Sequence, residues 1–141
     1  GGTLSWFGGS IEGNGRTGDD AERYGLKLHS MGRSSAAGAV FVGAYFENNS
    51  DRADVWIEQS AYQATYAFQG CSFQRIQNVN PATNNILVEG GVTALTLHGN
   101  GFRGAGTYVP DAARKYVVTD GVVAEAGNLW GSALEKPAFA A

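Results

Sequence analysis

Apolar and polar positions alternate along this chain in short bursts, and one burst recurs. It runs as an apolar residue, a variable one, a small one, two more positions and a large apolar residue. The copies read Trp6-Phe7-Gly8-Gly9-Ser10-Ile11, Phe41-Val42-Gly43-Ala44-Tyr45-Phe46 and Phe68-Gln69-Gly70-Cys71-Ser72-Phe73. Leu97-His98-Gly99-Asn100-Gly101-Phe102 follows, and Ala124-Glu125-Ala126-Gly127-Asn128-Leu129 is a degraded last copy. The small position falls at 8, 43, 70, 99 and 126, in steps of 35, 27, 29 and 27. Self-similarity at such a period marks a stacked-repeat architecture.

A second series lies between the copies. Its members are Tyr24-Gly25-Leu26-Lys27-Leu28-His29, Asp54-Val55-Trp56-Ile57-Glu58, Asn85-Ile86-Leu87-Val88-Glu89 and Lys115-Tyr116-Val117-Val118-Thr119. Aligned on Leu26, Val55, Ile86 and Tyr116, they advance by 29, 31 and 30 residues, in step with the first series. β-Branched and aromatic residues dominate the inward positions, and no sustained spacing of the helical kind occurs. Gly, Asn, Asp and Ser punctuate the runs as tight corners would. Residues 110–114 suit one helical turn at most.

Two parallel strands per period, stacked about 4.8 Å apart and joined by short corners, predict an all-β chain. The expected fold is a right-handed parallel β-helix, a solenoid of about four to five coils, its hand following the bias of parallel crossovers. It spans residues 1–134, with a loop excursion over 13–23 and a C-terminal tail over 135–141. Phe46, Phe73 and Phe102 should stack in one interior ladder ended by Ile11 and Leu129. Leu28, Ile57, Val88 and Val118 should form another.

Bulk properties narrow the function. With 141 residues and 43% hydrophobic content, the chain is one domain with enough apolar material for a core. A net charge of −3 without any Lys/Arg cluster argues against nucleic acid as partner. No apolar run reaches the roughly 18 residues of a spanning helix, so no membrane insertion is expected. The single cysteine, Cys71, allows no internal disulfide, and its place in the repeat suggests a small buried side chain.

The phrases Gly-Gly-Ser-Ile-Glu-Gly-Asn-Gly (8–15), Gly-Ala-Tyr-Phe-Glu-Asn-Asn (43–49), Gly-Cys-Ser-Phe-Gln-Arg (70–75) and His-Gly-Asn-Gly-Phe (98–102) carry a resemblance. Together they resemble the right-handed β-helix of the pectate-lyase-like superfamily, most of all its members in bacteriophage tailspikes and tail fibres. The resemblance implies contact with bacterial surface polysaccharide, a homotrimer, and a place in the virion tail or outside the cell. It also implies a portion of a longer spike, because the coils are fewer than in the family's complete enzymes. Fold alone does not choose between binding and catalysis in this group.

Strand alternation assigns the outward columns. Lys27, Trp56, Leu87 and Val117 form one; His29, Glu58, Glu89 and Thr119 run beside it. Trp56, Lys27 and His29 are the candidate carbohydrate-binding residues, with the indole as a flat face for a sugar ring. Glu58 and Glu89, one coil apart, approach the roughly 5 Å spacing of a retaining glycosidase pair and are candidate catalytic residues. Two outward glutamates on adjacent coils are also simply solvated carboxylates. The apolar Leu87 and Val117 suggest a covered surface, such as a subunit interface. Phe7 and Val42 offer a second apolar contact. His98 before its Gly-Asn-Gly corner reads as structural or solvated.

The excursion Gly13-Asn14-Gly15-Arg16-Thr17-Gly18-Asp19-Asp20-Ala21-Glu22-Arg23 matches G-x-G-x-x-G, but a strand-like run follows where a dinucleotide site needs a helix. Asp19 and Asp20 are candidate acid and base residues on a polysaccharide. With Glu22 they are also possible Ca²⁺ ligands, although a solvated acidic loop is the simpler reading and no cofactor is expected. Polygalacturonase-type members carry Asp-Asp, His-Gly and Arg-Ile-Lys in that order. Here Asp19-Asp20, Arg75-Ile76-Gln77 and His98-Gly99 break the order, so those roles do not transfer. Asn48-Asn49-Ser50, formally a glycosylation sequon, reads as a pair of corner formers. The leading expectation is a structural, polysaccharide-binding tailspike or fibre module. A polysaccharide depolymerase (hydrolase or lyase) is the alternative, and a surface adhesin a third.

Overall fold

Among the described residues, fourteen short strands follow one another in a fixed rotation through three sheets, each paired in parallel with the strand three places before or after it. The computed structural model describes residues 3–14, 24–28, 37–47, 49, 53–58, 64–74, 84–89, 93–103, 117–119 and 122–131. Sheet 1 is β1 (Thr3–Phe7), β4 (Ala37–Val42), β7 (Ala64–Gln69), β10 (Thr93–His98) and β13 (Val122–Ala126), in that order. Sheet 2 is β2 (Ser10–Glu12), β5 (Tyr45–Glu47), β8 (Ser72–Gln74), β11 (Gly101–Arg103) and β14 (Leu129–Trp130). Sheet 3 is β3 (Tyr24–Leu28), β6 (Ala53–Ile57), β9 (Asn84–Val88) and β12 (Val117–Thr119). One pass through the three sheets makes one round.

The recurring phrase is therefore two strands and the corner between them, and a round holds three strands rather than the two expected. The corner residues Gly8, Gly43, Gly70, Gly99 and Gly127 have φ between 60° and 65°, a left-handed conformation that a side chain disfavours. Backbone pairing continues round the corner: Gly43 N–H donates to Gln69 O at 2.9 Å and Gly70 N–H to His98 O at 2.9 Å.

Each residue after the corner glycine stacks on its equivalents, and this column changes character along the molecule. Asn128 Nδ2 donates to Leu97 O at 3.0 Å, and its Oδ1 accepts the backbone N–H of Asn100 at 2.9 Å. Asn100 repeats the pattern, with Nδ2 to Phe68 O at 2.9 Å and Oδ1 accepting Cys71 N–H at 2.8 Å. Cys71, 1% exposed, takes the same place with a thiol whose Sγ lies 3.4 Å from Phe41 O. Burial pushes this thiol's pKa up, partly opposed by backbone N–H groups that include Ala44's. The cysteine thus substitutes for a ladder asparagine, and its expected burial is observed. An amide or carbonyl left unmatched here would cost about 1–3 kcal/mol, so the column holds the corners in register.

The inward residues of all three sheets make one apolar cluster, from Leu28, Ile57 and Val88 of sheet 3 to Phe41, Phe68 and Leu97 of sheet 1 and the rings of sheet 2. Phe46–Phe73 and Phe73–Phe102 stack at centroid distances of 4.8 and 4.9 Å with planes 6° apart. Those distances are the spacing between paired strands, so the register itself sets the ring stack. Phe41 and Phe68 form a parallel stack at 4.9 Å on sheet 1.

The last round corrects the sequence alignment. Trp130, stacked on Phe102 at 4.4 Å, ends the Phe ladder where Leu129 was expected. The corner falls at Gly127 rather than Ala126. Val117, not Tyr116, pairs with Ile86, and it is 1% exposed; it faces the core instead of the outward column. Val118 therefore pairs with Leu87, and Thr119 takes the register of Val88. Tyr116 and the 110–114 stretch lie outside the described residues, as does the tail over 135–141.

Candidate functional site

Sheet 3 presents Lys27, Trp56 and Leu87 in one register column, as expected. Glu58 and Glu89 follow β6 and β9, each tied to the preceding round by its backbone: Glu58 N–H to Leu28 O at 3.0 Å, Glu89 N–H to Ile57 O at 2.9 Å. The glutamates thus occupy equivalent positions on neighbouring rounds. What surrounds them is a closed network. Lys27 Nζ lies 4.0 Å from the centroid of the Trp56 ring and 3.4 Å from Glu58 Oε1. The indole Nε1–H donates to Glu89 Oε2 at 2.9 Å. Tyr24 packs against the indole at 5.4 Å.

As a result Trp56 is only 3% exposed despite its outward position. Stacking a sugar needs an open ring face, and Lys27 lies over this one. The cation–π contact and the ion pair are each worth about 1 kcal/mol or less where solvent still reaches the ammonium. Glu58 and Glu89 come to one edge of one sheet on adjacent rounds, Glu58 paired with Lys27 of the round before and Glu89 with the indole of Trp56. His29, Asp19, Asp20 and Glu22 lie outside the described residues.

Sheet 2 carries an arrangement that sequence reading missed. Glu12 and Glu47 are register partners on adjacent rounds, followed by Gln74 and Arg103 in the same column. Tyr45, two residues before Glu47, donates its hydroxyl to Glu47 Oε2 at 2.5 Å and lies 3.2 Å from Gln74 Oε1. Hydrogen bonding to this carboxylate, then burial and the negative charges of Glu47 and Glu12, push the Tyr45 pKa up to about 12. The phenol therefore keeps its proton across the physiological range and acts as a donor. A signal existed in the sequence: the residue after each interior-ladder position reads Glu12, Glu47, Gln74, Arg103, a polar column beside an apolar one.

A third polar group is wholly internal. Asp54, at 0% exposure, accepts Asn49 N–H at 3.1 Å and Asn85 Nδ2–H at 2.7 Å. Asn49 Nδ2 donates to Ile11 O at 2.6 Å. Gly25 permits this packing, since a Cβ there would sit 2.5 Å from Asn49 Cγ. Asn49 is thus a buried cross-link between rounds, a stronger role than the corner former expected. His98 is exposed at the sheet 1 corner.

Among the described residues, no group of three or more His, Cys, Asp or Glu is placed to hold a metal ion, and no helix is long and apolar enough to cross a membrane. No family model, curated protein or solved structure matches the chain.

Proposed function

We propose that this chain is a stretch of right-handed parallel β-helix that acts as a structural and polysaccharide-binding module of a tailspike- or tail-fibre-like protein, assembled as a homotrimer and displayed on a virion or outside the cell. The carrying observation is the unbroken rotation of parallel strands around one shared core. Such stacking gives a stiff rod whose outward side chains repeat about every 4.8 Å. A rod of this kind suits a periodic, extended ligand better than a small molecule in a pocket. The open polar column of sheet 2, with Tyr45, Glu47, Gln74 and Arg103, offers donors and acceptors in a row. The enclosed Trp56 is then scaffold rather than platform, and the contact surface moves from sheet 3 to sheet 2.

The depolymerase alternative would use a pair of carboxylates, either Glu58 with Glu89, one round apart, or the adjacent Asp19 and Asp20. The engagement of Glu58 by Lys27 and of Glu89 by Trp56 favours a structural role for the first pair. Co-sedimentation with purified capsular polysaccharide and lipopolysaccharide tests the binding reading. Binding that falls at least tenfold in Gln74→Ala and Tyr45→Ala, without new reducing ends or unsaturated sugars, supports it. Polysaccharide cleavage that disappears in Glu58→Gln or Glu89→Gln would replace it with the enzymatic reading.

A further inference from the structure

The three outer faces differ in charge. Sheet 2 carries Glu12, Glu47 and Arg103, and sheet 3 Lys27, with Glu58 and Glu89 at its strand ends. On sheet 1 no outward position of any of the five strands is Asp, Glu, Lys or Arg. Glu125, the one charged residue in these strands, takes the inward register of Leu97. The exposed large hydrophobic side chains of the described residues also gather here: Phe7 at 75%, Val40 at 37% and Val122 at 74% exposure. They come from the first, second and fifth strands, and the two strands between add the polar outward residues Thr65, Gln69, Thr96 and His98. Between them lie small residues such as Ala67 and Ala124, which leave the face nearly flat.

We infer that the outer face of sheet 1 is where the chain meets a second copy of itself. This assignment rests on the proposed self-assembly and names the surface that performs it. Charge selects the occupant. The chain has a net charge of −3, and meeting across a face without Asp, Glu, Lys or Arg brings no like charges together. A flat face of small residues lets an opposing sheet approach to the roughly 10 Å of face-to-face packing. A polysaccharide would instead demand a dense row of directional donors and acceptors, which sheet 2 holds in Glu12, Tyr45, Glu47, Gln74 and Arg103.

Area sets the strength. Five strands at about 4.8 Å and five to six residues at about 3.3 Å give a face of roughly 400 Å². That is about half the roughly 800 Å² each partner contributes to a standard interface. Association of this chain is therefore concentration-dependent rather than permanent.

The test is sedimentation velocity over a concentration series on the chain, alongside Val122→Glu, Val40→Lys and Thr65→Glu. All three positions are exposed, and circular dichroism checks that each variant folds; any one that does suffices. Arg103→Gln on sheet 2, which changes the net charge by one unit as each sheet 1 variant does, is the control. The expected result is reversible association of the wild type, weakened at least tenfold by the sheet 1 variants and unchanged in the control. Association weakened only by Arg103→Gln, or unaffected by any folded sheet 1 variant, overturns the assignment while leaving self-assembly intact. A wild type monomeric at every concentration overturns both. Sheet 1 variants that lose polysaccharide co-sedimentation with unchanged association would make this face a glycan surface and overturn the assignment.

Discussion

Sheets 2 and 3 each set an aromatic ring beside glutamates on neighbouring rounds: Tyr45 with Glu12 and Glu47 on the one, Trp56 with Glu58 and Glu89 on the other. On sheet 3 the residue one round before the ring is Lys27, long enough to lie over the indole and reach Glu58. The ring is shut in and its N–H is committed to Glu89. On sheet 2 the residues one round before and after Tyr45 are Ser10 and Ser72. These are too short to cover it, and Tyr45 stays half-exposed. The same ingredients make a packed scaffold in one place and an open polar surface in the other. In stacked strands the register neighbour, more than the sequence neighbour, decides what an outward side chain does.

The largest test of this contrast is truncation. Trp56→Ala should destabilise the chain by about 3 kcal/mol, the cost of emptying a buried aromatic site, whereas Tyr45→Ala should cost about 1 kcal/mol. Chemical denaturation compares the two, and equal losses would erase the distinction. Next is the Tyr45 phenol, whose ultraviolet titration should centre near pH 12, above the ordinary value of 10.0. Glu47→Gln should bring it back toward 10. Because the folded-state pKa lies above the unfolded one, this group's contribution to stability is complete below about pH 10 and is lost as pH rises through 12.

A smaller effect is expected at Lys27. Lys27→Met keeps the stem over the indole but loses the charge, for about 0.5–1 kcal/mol, and the loss should shrink in high salt. The smallest concerns Tyr66, 1% exposed, whose hydroxyl has no hydrogen-bond partner among the described residues and whose pKa is raised by burial. Tyr66→Phe should leave the midpoint unchanged or raise stability by up to about 1 kcal/mol. A clear loss would mean that the hydroxyl is satisfied.

Much of the fold was legible because two periodicities ran in step. The Phe ladder and the corner glycines fixed four rounds to the residue. The last round slipped by one because Tyr116-Val117-Val118-Thr119 is nearly as apolar in one register as in the other, so alternation could not choose. The glycine-centred phrase also hid a strand boundary, which made three strands per round look like two. The candidate site was legible only as a list. Sequence placed Trp56, Lys27, Glu58 and Glu89 on one face, but whether Trp56 is open depends on a lysine 29 residues earlier, through a contact no local pattern records. The sheet 2 column was overlooked because each of its members follows a conspicuous core residue.

The central claim is the register that makes neighbours of residues one round apart, and a disulfide tests it most directly. In a Cys71→Ala background, Thr65 and Ala94, exposed partners on β7 and β10, would be replaced by cysteine. Paired at about 4.8 Å, they fall within disulfide range, whereas Thr65 with Thr96, two residues out of register, lies at about 8 Å and does not. Oxidation at low protein concentration should link 65 to 94 within one chain and leave 65 and 96 unlinked. Absence of the 65–94 bond, or equal formation of both, would contradict the account.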